Sequence, residues 1–214
     1  NDDLFGIFHC FTGTLAQAQQ ALSYNMKLGI GGVVTFKKDV SVGSGGSFKV
    51  LGASSVVFEG DSSGVVLSGL DASQTSGDVV LEVDSWTLSS KQVISGAGML
   101  SLRPASIGLD IYVGQASDLA NKSGWLLTFE SLNSFVGNFS ALKIGYAPED
   151  DLLDTAGNLE LHGTNGGDFP RELDVAFYGR SVRLAGSASA TWEFAQSLEV
   201  SAHDTLLLET GIET

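Results

Sequence analysis

Positive charge is the scarcest thing in this 214-residue chain. Lys and Arg total 11 against 25 Asp and Glu, a formal net charge of −14. A surface that negative repels phosphate backbones, so nucleic-acid binding through a basic face is excluded. Cysteine is nearly absent: Cys10 stands alone and forms neither a disulfide within this chain nor a thiolate zinc cluster. Three His, without a dense carboxylate–His grouping, argue against a self-contained transition-metal site. Three Pro leave few rigid corners. No apolar run reaches the roughly 18–20 residues a membrane-spanning helix needs, and the acidic start, Asn1-Asp2-Asp3, lacks the charge pattern of a signal peptide.

Glycine is plentiful, with 27 residues, while charged residues make up only 17% and hydrophobic residues 43%. A chain this apolar has a core to bury, and one this rich in Gly and Ser favours short strands and tight turns. The composition changes near residue 40. Residues 1–40 balance Asp2, Asp3 and Asp39 against Lys27, Lys37 and Lys38, so the rest of the chain carries the whole net charge. The Gly/Ser-rich stretch 41–47 is predicted to be a linker between a segment 1–40 and a larger unit 48–214.

In the first segment, Leu4–Phe11 is a strand-length apolar run. Thr14 is a candidate N-cap, and Leu15, Ala18, Ala21 and Leu22 recur at helical spacing. Leu28–Phe36 is a second apolar run, which makes a strand-helix-strand unit with parallel strands. GIFHCFTGTLAQAQQAL followed by LGIGGVVTFKK resembles the middle of TatD-family metal-dependent deoxyribonucleases, (β/α) barrels whose metal site lies at the strand ends. The resemblance implies a metal-ligand role for His9, the His of HCFTG. The segment Asp204–Thr210 is similar to that family's LLLETD strand, but Gly211 stands where the family places a metal-binding Asp. The family's remaining ligands have no counterparts here, and one His does not hold a divalent ion and activate water. The expectation is therefore that the chain is not an enzyme. A TatD-like nuclease with an inserted β-domain is the alternative.

From Phe48 onward, short β-prone runs recur. Leu81 and Val83 flank Glu82, Leu159 and Leu161 flank Glu160, and Leu198 and Val200 flank Glu199. Period two with acid on alternate positions means one buried face and one wet face. Units opening at Gly77, Gly98, Gly124 and Gly157 are 21 to 33 residues apart, a solenoid-like period. The pattern predicts a mainly β protein: a right-handed parallel β-helix over 48–214, preceded by the strand-helix-strand segment. SGAGMLSLRPASIGLDIYVG (95–114), GWLLTFESLNSFVGNFSALKIGYA (124–147) and AGNLELHG (156–163) resemble repeats of filamentous-haemagglutinin-type bacterial exoproteins. That resemblance implies a secreted or cell-surface scaffold or adhesin whose partner is a host or cell-surface glycan or protein. A carbohydrate-binding β-helix is a further alternative.

Glu149, Asp150, Asp151 and Asp154 form the densest acidic cluster, a candidate calcium site because that ion prefers hard oxygen ligands. It lacks EF-hand spacing, and a solvated loop after Pro148 is the simpler reading. His203 and Asp204 are not expected to act with a serine, because neighbours on a strand point to opposite faces. Trp86, Trp125 and Trp192 sit in apolar runs and are expected in the core. Open ends of a solenoid expose strand edges, so end-to-end self-association or a capping element is expected.

Overall fold

A computed structural model describes residues 6–8, 11, 14–24, 26–28, 32–36, 40–41, 47–58, 66–68, 78–88, 93–95, 98–135, 139–163, 173–186, 191–193, 196–209 and 211–213, and the structural statements below refer to these. The chain opens with β1 (Gly6–Phe8), α1 (Leu15–Ser23) and β2 (Met26–Leu28). Nine strands follow: β3 (Val33–Phe36), β4 (Val40–Ser41), β5 (Phe48–Ala53), β6 (Ser55–Phe58), β7 (Val66–Ser68), β8 (Val79–Val83), β9 (Trp86–Leu88), β10 (Val93–Ser95) and β11 (Met99–Arg103). Next come β12 (Ile111–Gly114), α2 (Ala116–Leu119), β13 (Trp125–Thr128), α3 (Phe129–Phe135), β14 (Ala141–Ile144) and β15 (Leu159–Gly163). The last strands are β16 (Asp174–Gly186), β17 (Thr191–Glu193), β18 (Leu198–Leu208) and β19 (Gly211–Glu213). No described helix is long and apolar enough to cross a membrane.

A strand-helix-strand unit forms, with β1 parallel to β2, but β2 lies at Met26–Leu28 and not over the expected Leu28–Phe36. Its second strand stops at Leu28, however, and β3 pairs in parallel with β6 instead. Gly32, between them, sits at φ +81°, a left-handed conformation that interrupts an extended run and suits glycine. Thr14 caps α1 as predicted. Its hydroxyl accepts from the Gln17 amide at 3.4 Å, and Gln17 Oε1 accepts from the Thr14 amide at 2.8 Å.

The described strand pairs are all parallel. The largest sheet runs β13-β12-β15-β16-β14-β11-β8-β5, with β18 along β16. Smaller sheets are β3-β6-β9, β10-β7-β4 and β17-β19. In the large sheet, β16 carries two pairing segments: Asp174–Phe177 lies beside β14, and Val182–Gly186 lies beside β15. A register shift between Gly179 and Ser181 separates the segments along β18, and such a bulge bends a strand. The sheet therefore curls around its buried face.

The alternation read from the sequence decides that face. One set of inward positions aligns Val50, Leu81, Leu102, Ile144, Phe177 and Val200 across β5, β8, β11, β14, β16 and β18. Another aligns Trp125, Ile111, Leu159, Val182 and Leu206 across β13, β12, β15, β16 and β18. The central members of both columns are buried in one apolar cluster. Each fully buried side chain of this kind is worth about 1.5–3 kcal/mol relative to exposure. Trp125 closes one corner: its indole N–H donates to the Val83 carbonyl at 2.7 Å, and its ring meets Trp86 edge-on at 4.8 Å. The core placement expected for Trp125 and Trp86 holds. The Trp192 side chain lies outside the described residues.

Candidate functional site

Turns that stack strand on strand need their polar groups satisfied, and short side chains do this. Asp78 accepts from the Met99 amide at 2.9 Å, and Asp174 accepts from both the amide and the hydroxyl of Ser197 at 3.1 and 2.7 Å. Asp84 accepts from Ser106, and Asp110 accepts from the Asn158 amide. Four of the acidic residues therefore tie together segments that are distant in sequence.

The wet face of the sheet carries its charges in paired ladders. Arg103 lies between Glu82 at 2.8 Å and Asp150 at 2.6 Å. Although burial works against its charge, these two carboxylates raise its pKa above the ordinary arginine value. On the second wall, Glu160 accepts from Lys122 and lies 2.9 Å from His162, while Arg183 reaches Glu209 at 2.9 Å. Burial opposes ionisation of Glu160, but the hydrogen bonds from Lys122 and His162 outweigh it and hold the carboxyl below its usual pKa.

The acidic cluster from Glu149 to Asp154 takes part in this scheme. Asp150 Oδ2 accepts from Arg103 and from the Ala147 amide at 3.0 Å, closing a 3-10 turn over Pro148–Asp150. Glu149 pairs with Lys143 at 3.2 Å. Asp151 ends the turn in the left-handed region at φ 54°, and Asp154 is exposed. Among the described residues, no group of three His, Cys, Asp or Glu side chains is arranged to hold a metal ion. Of the four carboxylates, Asp150 is thus engaged by Arg103 and Glu149 by Lys143. His9 lies outside the described residues.

His203 and Asp204 are closer than strand alternation allows. His203 Nδ1 lies 2.8 Å from Asp204 Oδ1, and Arg180 Nε donates to Asp204 Oδ2 at 2.7 Å. The bulge explains it. Gly179 pairs with Ala202 and Ser181 with Thr205, so two residues of β18 oppose one of β16, and both face Arg180. The hydrogen bond from Arg180, reinforced by His203, lowers the Asp204 pKa. No serine hydroxyl is hydrogen-bonded to them among the described residues. A bulge of this sort leaves no composition signal; only the register reveals it. The Asp204–Thr210 segment, similar in sequence to a barrel strand, lies mostly in β18 at the edge of the curled sheet.

Comparison with known proteins gives one match. The family model for TatD related DNase matches residues 1–62, less than a third of the chain. No curated protein and no solved structure matches, and nothing among the comparisons corresponds to exoprotein repeats. The matched residues hold β1, α1 and β2 and continue through β6.

Proposed function

We propose that this chain is a non-enzymatic structural module, a right-handed parallel β-helix serving as scaffold or adhesive segment of a secreted or surface protein. The observation that carries the reading is the pair of inward columns, aligned in parallel register through five and six strands. Parallel pairing between β3 and β11 supports a solenoid, because each of these strands lies beside the one three strands away, as the walls of successive coils would. Three groups of parallel strands in similar succession, β3-β6-β9, β4-β7-β10 and β5-β8-β11, fit coils of three walls. The extracellular setting and a glycan or protein partner rest on the resemblance of residues 95–163 alone.

A second reading draws on the match over 1–62: a TatD-like, metal-dependent deoxyribonuclease segment in which His9 is a ligand. One assay separates the two. The purified chain is incubated with DNA and Mg²⁺, Mn²⁺ or Zn²⁺, with His9→Ala alongside. No cleavage is the expected result; cleavage that disappears in the variant overturns the structural reading.

A further inference from the structure

We infer that β18 is a self-complementary edge: two copies of this chain join tail to tail, β18 against β18, antiparallel about a two-fold axis at His203. β18 pairs with β16, and no other described strand pairs with it. No residue of β18 is buried, and every one from His203 to Leu208 is exposed. Three consecutive leucines stand there, Leu206, Leu207 and Leu208, at 48%, 45% and 49% exposure. Val182 and Leu184, the register partners of Leu206 and Leu208 on β16, are 1% and 0% exposed. The apolar columns thus end at β18 without cover, and an open apolar strand edge is a template for another strand. The contact needs only this curled edge, so it stands or falls separately from the solenoid reading.

What fits this edge is a copy of itself. The bulge opposite Arg180 turns β18 at its middle, with Leu198–Ala202 along one segment of β16 and Thr205–Leu208 along the other. Two arms of similar length therefore meet at a corner. A two-fold axis through the corner lays each arm along the other arm of the second copy, running the opposite way. Inward side chains must meet inward ones, so opposed residue numbers sum to an even value and the axis falls on a residue. At the corner that residue is His203 or Asp204. An axis at Asp204 opposes Glu199 to Glu209, and like charges directly opposite destabilise a pair. An axis at His203 opposes Leu198 to Leu208, Val200 to Leu206 and Ser201 to Thr205, with Glu199 against Leu207. No carboxylate then faces a carboxylate across these pairs. Leu198 and Val200 already pack against the apolar cluster, so the leucines of each copy extend the core of the other. Eleven residues from each copy are about half of the roughly 20–30 in a standard interface, so the dimer is a weak one. The contact uses the same surface on both copies and closes on itself, so assembly stops at two.

Sedimentation velocity of the whole chain, from low micromolar to near-millimolar concentration, is expected to show monomer, dimer and nothing larger. Leu206→Lys/Leu208→Lys weakens the dimer by about tenfold or more, through the apolar contact it removes. Leu207→Lys sets an ammonium against the partner's Glu199 and dimerises about tenfold more tightly than Leu207→Glu, because that pair occurs twice about the axis. Single cysteines in a Cys10→Ser background read the register. Ser201→Cys and Thr205→Cys cross-link with each other on oxidation and neither cross-links with itself, because only the mixed pair comes within disulfide reach. A chain that stays monomeric throughout overturns the inference, as do species beyond the dimer, dimerisation that ignores these substitutions, or a mixed pair that does not cross-link. Hydrogen exchange in β14 and β16 reports whether the leucine variant keeps its fold; if it does not, the cysteine pair decides alone. Protected amides there in a monomeric wild-type chain sink the dimer and leave the solenoid reading in place.

Discussion

Gly145 is the position where the closeness of neighbouring strands is most directly testable. It follows β14 at φ +97°, and its amide donates to the Leu102 carbonyl at 2.9 Å. A methyl group built there falls inside the van der Waals shell of the Tyr178 carbonyl oxygen, which is backbone and has nowhere to retreat. Gly145→Ala therefore combines two penalties. The left-handed conformation costs about 1–2 kcal/mol for a side-chain-bearing residue, and overpacking costs about 1–3 kcal/mol more. Gly32→Ala supplies the control. Gly32 also has a positive φ, at +81°, but nothing lies within 4 Å of an added methyl, so only the first penalty applies. Urea unfolding followed by Trp fluorescence reports on both, because Trp125 is buried against Trp86. Gly145→Ala is expected to lower the midpoint by at least twice as much as Gly32→Ala. Equal midpoints would show that β14 and β16 do not approach this closely, and the column register would have to be redrawn.

Other consequences follow from the same packing. Leu102→Ala removes a side chain with no exposure between Leu81 and Ile144, and should cost about 2–5 kcal/mol in the same unfolding assay. Tyr146 is buried, donates to the Pro104 carbonyl, and has its pKa pushed up to about 12, first by burial and then by Glu82. A raised tyrosine pKa means that the folded state resists ionisation. Its contribution is complete below pH 10 and is lost as pH rises through about 12. Tyr146→Phe should flatten the alkaline limb of a stability–pH profile over that window. Calcium should leave the melting midpoint unmoved, because Asp150 and Glu149 are already engaged by Arg103 and Lys143; a rise reversed by a chelator would refute that assignment.

The strands were largely legible in the sequence, and the reason is local. Where Leu-Glu-Val or Leu-Glu-Leu alternates, burial of one face fixes the register, and the runs at 79–83, 159–161 and 198–200 all lie in strands. Less legible were features that depend on which distant strand lies alongside. β9 and β12 carry little alternation of their own, and their places come from Trp86 meeting Trp125 and from Ile111 lying beside Leu159. The acidic cluster reads as a possible ion site because sequence shows carboxylates but not the amides and guanidinium groups they meet from distant parts of the chain. Asp150 and Arg103 are 47 residues apart in sequence yet paired at 2.6 Å.

The stretch at 41–47 reads as a linker, but pairing crosses it. β3, before that stretch, lies beside β6, and β4 lies beside β7. Val34 packs against the same apolar cluster as Val56 and Trp86. The strands from β3 to β6, inside the segment that matches TatD related DNase, thus share a core with residues outside it. Removal of residues 1–47 should then do more than delete an appendage. It uncovers Val56, which is fully buried in the whole chain, and strips a paired strand from both β6 and β7. Exposure of one such Val costs about 1.5–3 kcal/mol, before the lost strand pairing is counted, so the truncated chain should unfold at clearly lower urea than the whole. Removal of residues 1–28, which takes β1, α1 and β2 but leaves β3 in place, should be far milder. If both truncations leave the midpoint where it was, the first 47 residues are an independent unit, and the continuity of the core across residue 47 is wrong.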